Sequence, residues 1–198
     1  MKGEDMTGDL KLIEEPKRPM AMNPRKFALW LFMITVVMIF AALTSAYIVR
    51  QGEGNWMLFK LPLELWVTSG IILLSSATMH WGYLSAKKDE LEKVKIAISL
   101  TTLLGIAFLV GQVYVWNALV EQSVFFVGNP SGSFLYVLSG LHGLHLVSGV
   151  IFLIIVLIST LKYKVHSKNL NQLQMCATYW HFLDALWIYL FVFLLVNH

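Results

Sequence analysis

The chain has 198 residues, of which 57% are hydrophobic and only 14% charged, and its formal net charge is +3. That leaves too little polar surface to cover the apolar content, which excludes an ordinary soluble domain and points to an integral membrane protein. The single cysteine, Cys176, excludes an intrachain disulfide, a paired-thiolate metal site and a covalent haem attachment.

Residues 1–25 are polar, mixed in charge and carry Pro16, Pro19 and Pro24, so they read as a loosely ordered cytoplasmic tail. The remainder, 26–198, reads as an all-α bundle of five transmembrane helices. A span needs roughly 20 mostly apolar residues, and five segments qualify: Lys26 to Val49, Glu64 to Leu84, Val94 to Leu119, Ser133 to Leu161 and Gln174 to Val196. The first is expected to stay as a helix, because its apolar run exceeds the roughly 7 to 15 residues of a signal-peptide core. The connectors are short and turn-forming, with Gly52, Gly54, Asn55 and Pro62 in the first and Gly128, Asn129, Pro130 and Gly132 in the third. Between Asp89 and Lys95 the charges alternate in sign, as expected of a solvated first helical turn. No internal repeat is present.

The basic residues sort by side. Lys2, Lys11, Lys17, Arg18, Arg25 and Lys26 precede the first span; Lys87, Lys88, Lys93 and Lys95 follow the second; Lys162, Lys164 and Lys168 follow the fourth. Only Arg50 and Lys60 fall on the other side, so the positive-inside rule predicts a cytoplasmic N-terminus and an outer C-terminus.

Four ionisable residues lie deep within the last two spans: His142 and His145 on the fourth, His181 and Asp184 on the fifth. At 1.5 Å per residue the histidine pair sits roughly 14 and 18 Å from the outer end of its helix, and the other pair roughly 11 and 15 Å from the inner end of its own. The spans are antiparallel, so all four come out at similar depth, and ionisable groups there are costly unless turned inward. Three readings follow: a structural polar cluster that fixes helix register, part of a proton-conducting route, or a metal or haem site built on His142, His145 and His181. Of the other histidines, His166 and His198 lie in a connector and at the terminus, and His80 is closer to the inner face.

Elsewhere the spans are chemically quiet. Ser75, Ser76, Gln112 and Ser139 are hydrogen-bonding residues suited to helix packing; Ser139 with Gly143 makes a small-x-x-x-small pair, and Gly105, Gly111 and Gly149 suggest close approach. Trp116, Trp180 and Trp187 are aromatic anchors for helix or lipid contact. No phosphate loop and no nucleophile with its base can be found. A transporter reading resting on Asp184 lacks the inverted repeats and broken helices of transport sites.

Two stretches carry a resemblance. Ser133-Phe134-Leu135-Tyr136-Val137-Leu138-Ser139-Gly140-Leu141-His142-Gly143-Leu144-His145-Leu146-Val147-Ser148-Gly149, and then Tyr179-Trp180-His181-Phe182-Leu183-Asp184-Ala185-Leu186-Trp187, resemble hallmark segments of subunit III of haem-copper oxygen reductases. Leu74-Ser75-Ser76-Ala77-Thr78, and Leu104-Gly105-Ile106-Ala107-Phe108 with Gln112, add weaker support. The likeness runs from Phe27 to the C-terminus and corresponds to the family's five-helix form.

The resemblance implies a non-catalytic subunit without haem or copper of its own, both expected in partner subunits of a cytochrome c or quinol oxidase that reduces oxygen and pumps protons. The implied partners are the catalytic subunit I, subunit II and phospholipids, with a larger respiratory supercomplex as a further assembly; no nucleic acid is expected. The implied location is the bacterial inner membrane, and the implied role is support of proton uptake and of the catalytic subunit. On this basis His142, His145, His181 and Asp184 would be structural polar contacts. Two positions depart from the pattern, Val36 on the first helix and Val115 on the third, where many relatives carry a glutamate.

Overall fold

The computed structural model describes residues 23–57, 61–161 and 170–197. Among them are five α-helices: α1 Pro24–Gly52, α2 Leu63–Lys87, α3 Leu91–Glu121, α4 Pro130–Leu161 and α5 Asn171–Asn197. Most of the expected tail, and Lys60, Lys162, Lys164, Lys168, His166 and His198, lie outside the described residues.

Each helix outruns the apolar segment that announced it. Pro24 and Arg25, assigned to the tail from sequence, form the first turn of α1, where Pro needs no amide partner and the Asn23 side chain accepts from Arg25 N at 3.1 Å. The α2–α3 connector shrinks to Lys88, Asp89 and Glu90, with Asp89 at φ +57°, a left-handed conformation that aspartate tolerates better than most residues. Salt bridges Lys93–Glu90 (3.0 Å) and Lys95–Glu92 (2.8 Å) tie down the solvated start of α3. Pairs of this exposed kind stabilise weakly, by at most about 1 kcal/mol.

The helices α2, α3, α4 and α5 close a ring, each packed on the next and α5 back on α2, while α1 leans on α4 and α5 from outside. Position in the ring sets exposure: half of the apolar stretch of α5 is buried, against 22% in α1. The exposed surface is itself apolar, with Trp30, Ile34, Met38, Leu74, Leu103, Ile151 and Val192 turned outward, as a lipid-facing wall requires. Inside, hydroxyls turn back onto their own helices: Thr101 donates to Ala97 O, Thr102 to Ile98 O, Ser139 to Leu135 O and Thr160 to Val156 O, all at 2.8 Å. That geometry satisfies a polar side chain where no water reaches.

Four of the five helices, α1, α3, α4 and α5, are long and apolar enough to cross a membrane, which makes this a multi-pass membrane protein. The expected span at α2 is long enough but not among those four, because Thr68, Ser69, Ser75, Ser76, Thr78 and His80 lower its hydropathy. Most of these residues turn into the ring, where neighbouring helices meet their polar groups.

Candidate functional site

The four ionisable residues of α4 and α5 do not gather. Among the described residues, no hydrogen bond or ion pair joins any two of them. A three-residue step turns an α-helix through about 300°, so His142 and His145 point about 60° apart, as do His181 and Asp184. That angle sends His142 and His145 to different helices, while His181 and Asp184 both turn to α2.

His142 is fully buried, edge-on to Phe108 of α3 (ring centroids 6.0 Å) and 5.0 Å from the Trp187 ring of α5; neither ring nitrogen has a hydrogen-bond partner. His145 faces α1 instead, between Phe32 (6.2 Å) and Phe40 (5.9 Å). Its Nδ1 lies 2.8 Å from Leu141 O; a carbonyl can only accept, so Nδ1 carries the proton. His181 turns to α2, with Nδ1 2.7 Å from Ser76 Oγ and its ring 6.0 Å from that of His80. Asp184 is 3% exposed, and both carboxyl oxygens lack hydrogen-bond partners. The Ser76 hydroxyl of α2 lies beside it, within reach as a donor but not aligned for a hydrogen bond in this conformation.

The tryptophans and small polar residues, kept apart in the sequence reading, turn out to be partners. Trp180 Nε1 donates to Ser75 Oγ at 2.7 Å and Trp187 Nε1 to Ser69 Oγ at 3.0 Å, both joining α5 to α2; Trp116 Nε1 donates to Ser139 Oγ at 3.1 Å, joining α3 to α4. Gln112 Nε2 reaches Thr68 Oγ1 at 3.4 Å, leaving its own Oε1 without a partner. Close approach is real at Gly105, where an added Cβ would lie 2.6 Å from the Trp180 ring, and at Gly149, where it would lie 2.9 Å from Leu183 and 3.2 Å from Trp180. At Gly143 nothing lies within 4 Å, so the expected Ser139/Gly143 contact is corrected: α4 and α5 meet closely around Gly149, one and a half turns further on.

The sequence reading passed over Ser69 and Thr68 of α2, the Ser148–Tyr179 hydroxyl pair (2.7 Å) and the bond from Tyr189 OH to Thr44 Oγ1 (3.1 Å). The available signal was a helical stripe of hydroxyls, Thr68, Ser69, Ser75 and Ser76, facing Trp180 and Trp187 seven residues apart. Val36 and Val115, the two positions at which the resemblance led to an expected glutamate, are dry. Val36 is 1% exposed among Phe40, Tyr47, Leu138 and Leu186, and Val115 is fully buried. Val36 lies on the same α1 stripe as Phe32 and Phe40, the rings that hold His145.

Chemically, the interior braces helix against helix and leaves one buried carboxyl, Asp184, without a hydrogen-bond partner. Among the described residues no three His, Cys, Asp or Glu side chains stand close enough to hold a metal ion, and His142, His145 and His181 face three different neighbours. Outside the ring, an open groove of about 840 Å³ runs between α1 and the start of α4, with Ala42, Ala46, Val49 and Phe134 along it and Arg50 and Ser133 among its polar groups.

Comparison with known proteins matches residues 16–197 to the family model for cytochrome c oxidase subunit III. The chain is 31% identical over 188 residues to cytochrome c oxidase subunit 3 of Corynebacterium diphtheriae, covering 89% of this chain and 91% of that protein. It is 29% identical to the probable quinol oxidase subunit 3 of Staphylococcus saprophyticus, covering 85% and 87%. With the cytochrome bo(3) ubiquinol oxidase subunit 3 of Pseudomonas aeruginosa the identity is 28%, covering 83% and 81%. With its membrane-type helices, its indole-to-serine braces and a match along nearly its whole length, the chain belongs to the cytochrome c oxidase subunit III family of the haem-copper oxidases.

Proposed function

We propose that this chain is a non-catalytic bracing subunit of a proton-pumping respiratory oxidase, packed on the catalytic subunit I and associated with subunit II. The single observation that carries the reading is how the interior spends its polar groups. Indoles, hydroxyls and an amide bond helix to helix, and no ligand set is assembled among the described residues. Haem and copper then reside in the partner subunits, where the reduction of oxygen takes place. All five helices cross the bacterial inner membrane, α2 included, because its packing on α3 and α5 turns its polar stripe inside. The N-terminus is cytoplasmic, on the side of Arg25, Lys26, Lys87, Lys88, Lys93 and Lys95.

The groove beside α1 suits a phospholipid: its apolar residues fit an acyl chain, and Arg50 and Ser133 fit the head group. Lipid held there, and support of proton uptake by the catalytic subunit, complete the proposed role. The test is native purification through a tag on this chain, with subunit identification and a haem spectrum. Co-purification with a haem-bearing catalytic subunit is expected; recovery of this chain alone, or with stoichiometric iron or copper bound to it, overturns the reading.

A further inference from the structure

Beyond bracing, we propose that Asp184 is a proton-exchanging carboxyl, reached from the C-terminal end of α2 through His80, His181 and Ser76. Three observations converge on it. Asp184 is buried on a helix packed on α1, α2 and α4, yet neither oxygen has a hydrogen-bond partner. A buried carboxyl without a partner is a group whose charge depends on a proton reaching it. The hydroxyl beside it, Ser76 Oγ, is bonded at 2.7 Å to His181 Nδ1, and imidazole is the side chain best suited to pass a proton. His181 is half-buried and His80 exposed, with 6.0 Å between ring centroids, a gap one bridging water spans. The string thus runs from the surface to the buried group, and His80 shares its helix face with Tyr83 and Lys87 at the end of α2.

The other groups around α5 leave this route distinct. From α4 the titratable neighbours are His142, enclosed by Phe108 and Trp187, and His145, bonded to Leu141 O and set between Phe32 and Phe40. From α1, Lys26 bonds Gln174 at one end of α5, and Tyr47 donates to Asn197 O at the other. From α2 the titratable groups on this side are His80 and, beyond it at the end of the helix, Tyr83 and Lys87.

The transfer balances without a co-reactant. A proton adds to the His181 ring nitrogen that does not face Ser76, the Nδ1 proton passes to Ser76 Oγ, and the Ser76 hydroxyl, on turning into line with Asp184, passes its proton to a carboxylate oxygen. The imidazole returns neutral as its other tautomer, Ser76 keeps one proton, and Asp184 gains one. Release runs in reverse.

Time-resolved infrared spectroscopy after a pH step, on the full-length chain in lipid nanodiscs, reads this directly. The expected result is a carbonyl stretch of protonated aspartate that follows the step, shifts on ¹³C-aspartate labelling and is absent in Asp184→Asn. Its rate should fall about 100-fold or more in Ser76→Ala and His181→Phe, the lower end of what a positioned proton-transfer group contributes, and recover in Ser76→Thr. The isotope shift requires no substitution, so a variant that fails to fold does not decide the outcome. No responsive aspartate band in the wild-type chain, or unchanged rates in both Ser76→Ala and His181→Phe, overturns the proposal. Because no partner subunit is present, its failure is independent of the bracing function.

Discussion

Trp180 donates its indole N–H to Ser75 Oγ at 2.7 Å while the far edge of its ring fills the space that any side chain at Gly105 would need. One residue of α5 thereby ties itself to α2 and sets the distance to α3. A hydrogen bond fixes orientation, the ring fixes separation, and both are reached without water.

Trp180→Phe keeps most of the ring and removes the donor, leaving Ser75 Oγ buried without it. Interhelix hydrogen bonds in membranes average about 0.6 kcal/mol, with a maximum near 1.7, so the hydrogen bond's share of the loss is expected to be about 1 kcal/mol, on top of the lost indole packing. A double-mutant cycle with Ser75→Ala, followed by reversible unfolding in mixed micelles, checks it. Additive losses would mean that the two groups are not coupled.

Gly105→Ala should destabilise the bundle by about 1–3 kcal/mol, since the new methyl meets an indole packed on all sides. Gly143→Ala, in the other half of the same ring, should be neutral or slightly stabilising, because the space there is open and alanine is the better helix former. Parallel thermal melts of the two variants in one detergent separate them.

His142 packs as an aromatic ring whose nitrogens find no partner. His142→Phe keeps the ring contacts and removes two unsatisfied polar atoms, so stability should stay within about 1 kcal/mol of wild type or rise. A large loss would show that the nitrogens are bonded in the assembled complex. The melting temperature of the whole oxidase complex, compared with that of the isolated chain, is the measurement.

Val36 stands on α1 between the two phenylalanines that hold His145. Val36→Glu should bury a carboxyl beside that imidazole, destabilising the chain alone but less than Val36→Glu combined with His145→Leu. Directly contacting pairs couple by about 0.5–3 kcal/mol, and a cycle over the two positions measures the difference. Zero coupling would place the new carboxyl away from the histidine.

Helix number and length, and the bias of basic residues, were legible in the chain because each rests on local sums: a run of apolar residues long enough for a membrane, and charges counted connector by connector. The resemblance of 133–149 and 179–187 was legible for the same reason. The α2 helix is less apolar than the other four, since its hydroxyl stripe lowers hydropathy and finds its bonds only once α5 is packed against it.

What the tertiary structure alone decided is who meets whom. Depth placed His142, His145, His181 and Asp184 at one level, but depth is a translation along the helix and contact also needs rotation about it. The 60° between residues three apart sent one histidine into the Phe108–Trp187 pocket and its neighbour toward α1, while His181 and Asp184 turned to α2. That rotation is set by how bulky indoles seat against Gly105 and Gly149 on other helices, a steric condition that no single segment contains.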